Sequence, residues 1–377
     1  MHVATSGTNW YDQAHSETVL ESLDFEYDDN DDIKWYAILG GAKQLAIRME
    51  DRLANKPEYL SRVTAIKDSA CGLNLDVDIT RPACAGDTVV ETRTYHAVFN
   101  STTLGALKRI NTDGVATLGY TTRQAIRSLG YGPSAKVGIK FSRPWWIHDL
   151  GHGRCIKKGG QGHSDLSIRT CVYPSYNIDD PDDQPAVLLC SYTWQQDAER
   201  LGALFSTSKD HDQQLKDEAA LRELLLRDLA RLHSYPDAQG NPVKEEDMYN
   251  LIAPLYLDHY AHDWTHDPNT AGAFAFFRPQ QFSCVWTKII CPIASDLFLI
   301  GEATSPHHAW VVGALESAVH GIDLWLSMHG DDIEGASEAL ALLEEKDDGV
   351  PFVGLPPYMS KELAQWIALN AHTQFDT

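Results

Sequence analysis

The sequence is poor in basic residues, and it contains no long apolar run. Its 377 residues include 31 Lys and Arg against 53 Asp and Glu, which gives a formal net charge of −22. So acidic a chain should be repelled by a nucleic-acid backbone or an anionic membrane, and we expect neither as a partner. No stretch approaches the roughly 18 uninterrupted apolar residues of a membrane span, so none is predicted.

Cysteine is also sparse. The seven cysteines form an odd, scattered set without a CxxC pair, at positions 71, 84, 155, 171, 190, 284 and 291. This spacing predicts neither a zinc site nor a disulfide framework, and we expect no metal. Met1 is followed by a short polar stretch rather than by the basic and apolar segments of a secretory leader. The compartment stays unknown, with the cytoplasm as the default expectation.

A third absence is a glycine-rich turn that follows a strand and opens a helix. The segment Gly130 to Ala135, GYGPSA, fits the looser form of G-x-G-x-x-G but leads into a predicted strand. The glycines at 159, 160 and 162 lie in loop-like sequence. The sequence therefore predicts no complete dinucleotide-binding βαβ unit.

Residues 297 to 326, LFLIGEATSPHHAWVVGALESAVHGIDLWL, combine a strand, a turn and a helix. The apolar run Leu297 to Ile300 ends at Gly301-Glu302, and after a turn the apolar residues recur with helical spacing at 311, 312, 315, 318, 319 and 322. We predict that Thr304 and Ser305 cap this helix. Its free N–H groups and partial positive charge would favour a ligand that accumulates negative charge.

This pattern closely resembles the carboxyl-terminal signature of the FAD-dependent (flavin-containing) amine oxidases, and within them the L-amino-acid oxidase branch. The matching segments are Gly301-Glu302-Ala303-Thr304, His308-Ala309-Trp310 and Gly313-Ala314-Leu315-Glu316-Ser317. The resemblance implies that Glu302, after Gly301, accepts a hydrogen bond from the ribityl chain of FAD. It also implies that Trp310 packs at the isoalloxazine ring, that Val311 contacts the cofactor, and that the helix amino terminus faces the pyrimidine end. An ordinary strand–helix unit with a buried tryptophan is the alternative.

A second suggestive stretch runs from Tyr131 to Phe141 and on to an aromatic pair at Trp145-Trp146. Strand alternation would place Lys136, Gly138 and Lys140 on one face. The resemblance implies that Lys136 holds a water against flavin N5, beside the carbon that gives up hydride. Burial can lower the pKa of such a lysine and suit it to this role. A surface lysine on an edge strand is the alternative.

The resemblance also assigns substrate-binding residues. Tyr192, at the polar end of an apolar strand, is expected to hydrogen-bond the substrate carboxylate, and the carbonyl of Ala309 is expected to orient the amine together with Trp310. Trp264 and the strand containing Phe274 would wall the pocket, with Phe274 near the substrate side chain. A tyrosine that caps a core strand and aromatic residues of the core are the alternatives.

Other segments resemble the cofactor domain of the same family. The backbone at Val63, in a strand predicted over Ser61 to Ile66, would hydrogen-bond the adenine, although a plain edge strand explains the pattern equally. Gly40-Gly41 precedes a predicted helix that would close over the cofactor. A further strand is predicted over Tyr95 to Asn100, and leucines at helical spacing predict a packing helix from Leu215 to Leu232.

The resemblance implies a mixed α/β fold of the FAD-linked amine oxidase type. An incomplete Rossmann-like FAD domain without G-x-G-x-x-G would accompany a substrate domain with a mixed sheet. We predict five segments: a polar, helical lead-in over 1–32, part of the FAD domain over 33–125, the substrate-binding domain over 126–282, the closing strand–turn–helix of the FAD domain over 283–330, and an acidic helical tail over 331–377. The resemblance corresponds to the later part of the family's chain, so we expect a family member that lacks its first part.

The expected reaction is oxidation of an L-amino acid to a 2-oxo acid, ammonia and hydrogen peroxide, with FAD as cofactor and O2 as acceptor. A polyamine or monoamine oxidase is the nearest enzymatic alternative. A non-catalytic family member or interaction subunit without bound FAD is the alternative from another class. The expected small-molecule partner is an amine or amino acid. The expected protein partner is a second copy of the chain or a chain that supplies the missing FAD-binding unit.

Overall fold

The computed structural model describes most of the chain and divides it into two compact units. The described residues are 12–23, 36–72, 74–83, 86–151, 154–176, 178–290, 292–294, 296–330 and 333–344. We call Gly132–Asp267 the central unit, and Asp12–Tyr131 with Pro268–Thr377 the split unit. The acidic cluster at 28–32, Trp35 and the tail beyond residue 344 lie outside the described residues. Within the described ranges, none of the helices has both the length and the apolar character needed to cross a membrane.

The described residues in the first part of the split unit form four α-helices and five strands. The helices are α1 (His15–Leu23), α2 (Lys43–Arg52), α3 (Leu104–Leu107) and α4 (Tyr120–Ser128). The strands are β1 (Arg62–Asp68), β2 (Leu75–Pro82), β3 (Thr88–Tyr95), β4 (Val98–Asn100) and β5 (Gly130–Gly132), the last of which ends in the central unit.

Beyond the end of β5, the described residues of the central unit form five strands and five α-helices. Its strands are β6 (Ser134–Phe141), β7 (Gly160–His163), β8 (Thr170–Tyr173), β9 (Ala186–Trp194) and β10 (Tyr256–Asp263). Its helices are α5 (Trp145–His148), α6 (Gln195–Gly202), α7 (His211–Asp217), α8 (Ala219–Leu232) and α9 (Glu245–Ile252), with a 3-10 turn at Ala253–Leu255.

The chain then returns to the split unit. Its remaining strands are β11 (Phe274–Phe276), β12 (Pro292–Ala294) and β13 (Leu297–Leu299). The remaining helices are α10 (Gln281–Cys284), α11 (Val311–His329) and α12 (Ala336–Glu344), with 3-10 turns at Trp286–Lys288 and Glu302–Thr304.

Period-two alternation builds the small sheets of the split unit. β1, β2 and β3 form an antiparallel sheet in that order, and Leu75, Val77 and Ile79 of β2 are buried while the residues between them are partly exposed. A second sheet has the order β12-β13-β4, in which β13 runs parallel to β4. The predicted strand over Tyr95 to Asn100 is wrong in its first half, because β3 ends at Tyr95 and β4 begins only at Val98.

The sheet of the central unit has the order β10-β6-β9-β8-β7. All four of its strand pairs are antiparallel, whereas the sequence analysis expected a mixed sheet. Parallel neighbours need long crossover connections, and here β7 and β8 are joined by a short loop instead. Trp145, Trp146 and Phe141 are fully buried in the core of this unit.

The predicted leucine helix is divided in the structure. Leu221, Leu225 and Leu229 of α8 are fully buried, which confirms the packing role of this helical pattern. The segment from Leu215 is nevertheless split into α7 and α8 at Glu218. The Glu218 carboxylate accepts hydrogen bonds from the Ser206 amide at 2.7 Å and pairs with His259 at 2.8 Å. These tertiary contacts lie at the break between α7 and α8, which the spacing of the leucines does not predict.

Candidate active site

Lys136 lies on β6, the second strand of the five-stranded sheet of the central unit. It is opposite Tyr192 of β9 on one side and His262 of β10 on the other. Its neighbours in sequence, Ala135 and Val137, are fully buried, while Lys136 itself is half-buried. Because side chains alternate along a strand, Lys136 extends from the face opposite to that of these two core residues.

Lys136, Tyr192 and Trp264 form one group, which we call the Lys136 cluster. The Lys136 Nζ lies 4.2 Å from the Tyr192 ring centroid and 5.4 Å from the Trp264 ring centroid. Such cation–π contacts stabilise a desolvated ammonium by about 1–2 kcal/mol. The structure therefore brings together three site residues that the sequence analysis predicted separately.

The environment of the Lys136 ammonium is apolar rather than acidic. Burial lowers the pKa of Lys136, and burial also raises the pKa of Tyr192, which keeps its hydroxyl protonated. Within the described part of the chain, burial is the cause that acts on the pKa of Lys136, and no carboxylate contributes to it. The N–H groups of Lys136 are therefore available to a water molecule or a polar ligand.

Neighbouring contacts fix the aromatic members of the cluster. The Trp264 amide donates to the Ser134 carbonyl at 3.2 Å, which ties the end of β10 to the start of β6. The Trp264 ring stands edge-on to His262, with centroids 4.5 Å apart. The Tyr192 ring lies 4.0 Å from that of Trp194. Held in this way, the aromatic rings around the ammonium have little freedom to reorient.

In the split unit, the Glu302 side chain joins two separate segments. Its Oε1 accepts from the Ala275 amide at 3.0 Å, and its Oε2 accepts from the Ala309 amide at 3.1 Å. Gly301, just before it, has a φ of +114°, a value that favours glycine because it has no Cβ. The Ala275 amide also donates to Oε2 at 3.3 Å. The predicted ribityl contact of Glu302 stays a prediction.

Tyr131 is a further residue at this carboxylate that the sequence analysis missed. Burial raises the pKa of Tyr131 strongly, and the negative charge of Glu302 raises it further. The Tyr131 hydroxyl also accepts from the Leu104 amide at 3.3 Å. No local sequence signal marks Tyr131, because its partners lie in other segments of the chain.

The predicted capping of α11 by Thr304 and Ser305 is wrong. The helix begins at Val311, and Trp310, in extended conformation, is the N-cap without a side-chain cap bond. The Thr304 hydroxyl instead contacts the Gly301 carbonyl and the Ser317 hydroxyl, and the Ser305 hydroxyl accepts from the His307 amide at 2.9 Å. Both hydroxyls are used within the turn that precedes the helix.

The amino terminus of α11 is the element that the resemblance assigns to the pyrimidine end of a flavin, and this role stays a prediction. The first N–H groups of a helix have no intrahelical acceptor, and the helix dipole adds positive charge there. Val311, the first residue of the helix, is 61% exposed. The GYGPSA segment is not a phosphate-binding turn of the kind that opens a helix. It forms β5 and the start of β6.

The remaining predicted residues also lie in the split unit. Ala309 is exposed and has a left-handed φ of +66°, which directs the chain into Trp310. Phe274 begins β11 and is half-buried. Val63 lies near the start of β1, before the part of that strand whose edge bonds to Asn111 and Gly114. The structure gives their positions, and their roles stay predictions.

Comparisons with known proteins bear on this site. Residues 2–320 match the family model described as flavin containing amine oxidoreductase. L-amino-acid oxidase 4 of Hebeloma cylindrosporum is 35% identical over 82% of this chain and 47% of its own length. A Dictyostelium discoideum protein named as a bifunctional amine oxidase is 33% identical over 87% of this chain and 28% of its own. An L-amino-acid oxidase of Siganus canaliculatus is 25% identical over 82% of this chain and 51% of its own. The chain spans about half the length of these relatives or less.

Proposed function

Because this chain belongs to the flavin containing amine oxidoreductase family, we propose that it serves the FAD-dependent oxidative deamination of an L-amino acid. The products would be a 2-oxo acid, ammonia and hydrogen peroxide, with O2 as the electron acceptor. The names of two relatives favour an amino acid over a simple amine as substrate. Bound FAD supplies the hydride acceptor, and the protein supplies orientation and electrostatics.

The Lys136 cluster is the observation that carries this proposal. A half-buried ammonium beside two aromatic rings, with its pKa lowered by burial, keeps N–H donors that no described carboxylate occupies. We assign Lys136 the role of holding a water for the reaction. Tyr192, whose hydroxyl stays protonated because its pKa is raised, would donate to the substrate carboxylate. Trp264 and Phe274 would contact the substrate side chain.

The split unit would contribute the cofactor-binding residues. The open amino terminus of α11 at Val311 would donate to the pyrimidine edge and stabilise negative charge there. Glu302, placed by Gly301, would accept from the ribityl chain. Trp310 would pack at the ring, the Ala309 carbonyl would orient the substrate amine, and the backbone at Val63 would bond the adenine.

One observation favours a second candidate, an interaction subunit that uses the family fold without bound FAD. Val311, Leu315 and Ile322 of α11 fall on one helical face and are 61%, 42% and 37% exposed. Exposed apolar faces commonly mark surfaces that bind other polypeptides. This candidate predicts a colourless chain and no peroxide release.

The test begins with the purified chain and FAD. After gel filtration, retained flavin absorbance would support the proposal, and the complex would be screened for peroxide release with L-amino acids and, in parallel, with polyamines and monoamines. Release with amines alone would favour a polyamine or monoamine oxidase. A chain that retains no flavin would contradict the proposal and favour the second candidate.

Two lysine variants make the test specific. Lys136→Met should reduce the rate of flavin reduction by an amino acid about a hundredfold, the size typical of a lost proton-transfer or water-positioning group. Lys140→Met is the matched control, because Lys140 lies on the same face of β6 but is exposed. Stopped-flow absorbance measures both rates. Equal rates for Lys136→Met and the parent chain would show that Lys136 does not have the proposed water-holding role.

A further inference from the structure

His308 and Glu17 form a buried ion pair inside the split unit. The His308 Nδ1 lies 3.0 Å from Oε1 and 3.2 Å from Oε2 of Glu17. The side chains are only 2% and 8% exposed. Glu17 belongs to the first turn of α1, a segment to which the sequence analysis gave no function. Two buried charged groups at this distance strongly stabilise each other when both are ionised, and either one alone is costly to bury.

The charge on His308 depends on this partner. Burial alone would lower the pKa of His308, but the hydrogen bond and charge of Glu17, followed by the charge of Glu302, outweigh it and raise the pKa. Within the described residues, Glu17 and Glu302 are the carboxylates that act on the ring in this way. The His308 ring also packs against Phe277, with centroids 4.5 Å apart.

The pair belongs to a closed series of contacts that includes the Glu302 carboxylate. Glu17 Oε2 accepts from the Phe277 amide at 2.9 Å, and Phe277 directly follows β11, which contains Ala275. Glu302 bonds the amides of Ala275 and Ala309, and Ala309 directly follows His308. The carboxylates of Glu17 and Glu302 therefore connect the same two segments, 275–277 and 308–309.

The segment held in this way has a strained residue. Ala309 has a φ of +66°, a left-handed conformation that costs an L-residue about 1 kcal/mol and persists only where its surroundings impose it. Trp310 and the open first turn of α11 come directly after it. A loss of the His308 anchor would leave Ala309 held by the Glu302 carboxylate alone, directly before the proposed flavin-binding terminus.

We propose that the Glu17–His308 ion pair is a positioning device, which fixes Ala309, Trp310 and the first turn of α11 in the geometry for flavin binding. The inference rests on the proposed function for its flavin part. Its structural part, the dependence of the Ala309 backbone on the ion pair, stands without the flavin.

The experiment uses Glu17→Gln and His308→Asn in the full chain. Glutamine keeps an acceptor without the charge, and asparagine keeps a donor at the position of Nδ1 without the titration. His329→Asn is the matched control, because His329 pairs with Asp296 at 2.7 Å elsewhere in the same unit. The Ala309 amide is followed by NMR between pH 6 and 9, and the dissociation constant of FAD is followed by flavin fluorescence over the same range.

In the parent chain and in His329→Asn, the Ala309 amide shift should follow a histidine titration, and FAD affinity should fall as pH rises and His308 loses its proton. Both pair variants should bind FAD about tenfold more weakly at low pH, the size of one charge-assisted hydrogen bond, and should lose the pH dependence. The inference is wrong, even if FAD binds, if the Ala309 amide shift shows no histidine titration in the parent chain. It is also wrong if the titration curve is the same in Glu17→Gln as in the parent chain. If FAD does not bind, but Glu17→Gln changes the pH dependence of the Ala309 amide shift, the proposed function is wrong and the positioning role is supported.

Discussion

At the residue scale, single buried polar side chains join segments of this chain that are far apart in sequence. Glu302 bonds two amides from different segments, Glu17 reaches His308, and in the central unit His233 joins a helix end to the sheet. A buried polar group without a partner costs about 1–3 kcal/mol. Each of these contacts therefore fixes its two segments relative to each other more sharply than apolar packing would.

His233 gives a test of this at one residue. Its Nδ1 donates to the Leu229 carbonyl at 2.7 Å, and its Nε2 accepts from the Tyr173 hydroxyl at 2.7 Å. Burial lowers the pKa of His233 from 6.5 to about 4. Between these values the unfolded chain binds a proton that the folded chain does not, so the free energy of unfolding falls as pH falls. The loss from this residue should reach about 3 kcal/mol by pH 4.

Urea unfolding at pH 7 and pH 5 would measure this effect. His233→Asn should lower stability at pH 7, because the Tyr173 hydroxyl loses its acceptor, and should show a smaller further loss at pH 5 than the parent chain. Tyr173→Phe, which keeps the titrating imidazole, is the control and should retain the pH dependence of the parent. Equal pH dependence in His233→Asn and the parent would show that His233 is not buried as a neutral group.

At the element scale, the first part of α11 buries small residues and exposes apolar ones. Gly313, Ser317 and Gly321 are buried, with Leu324 and Leu326 near the end of the helix, whereas Val311, Val312, Leu315 and Ile322 are exposed. The reason is close approach: a Cβ on Gly313 would lie 2.3 Å from the His307 carbonyl oxygen, and a Cβ on Gly321 would lie 2.7 Å from Ile300. Small residues let the helix pack directly against the backbone of the turn that leads into it.

Gly313→Ala should therefore destabilise the chain, although alanine favours helix. The added methyl group has no space beside the His307 carbonyl, and overpacking of this kind typically costs about 1–3 kcal/mol. Ser327→Ala, at an exposed position of the same helix, is the control and should change stability by less than about 0.5 kcal/mol. Chemical denaturation measures both. A stabilised Gly313→Ala variant would mean that α11 does not approach the turn as closely as described.

At the scale of the whole molecule, the net charge of −22 should oppose compactness through self-repulsion. Local ion pairs act in the other direction: Arg81 and Arg93 share Glu58 and Glu91 across the first sheet, and these pairs are exposed enough to be screened. The sum over the chain favours repulsion, because acidic residues outnumber basic ones by so wide a margin.

Raising the salt concentration should therefore raise the melting temperature. Screening becomes substantial once the Debye length falls to about 10 Å, near 0.1 M salt, and an increase of roughly 2 °C or more would correspond to about 1 kcal/mol. Calorimetry in NaCl from 20 to 200 mM, with sucrose of equal osmolality as the control, measures it. A melting temperature that falls with NaCl would mean that ion pairs outweigh the net repulsion.

The chain's division also belongs to this scale. The central unit, Gly132–Asp267, begins and ends inside the segment 126–282 predicted as the substrate-binding domain. The mixed α/β fold of the amine oxidase type is confirmed by the family match. The functional labels of the predicted domains stay predictions.

The sequence by itself determined the family and the local elements, because a motif such as Gly301-Glu302 and the alternation around Lys136 are set by neighbours a few residues apart. Only the tertiary structure decided which groups meet: Lys136 with Tyr192 and Trp264, Glu302 with the amide of Ala275, and Glu17 with His308. It also decided which face of α11 is buried. These outcomes depend on packing and hydrogen bonding between distant segments, and local periodicity carries no information about a distant partner.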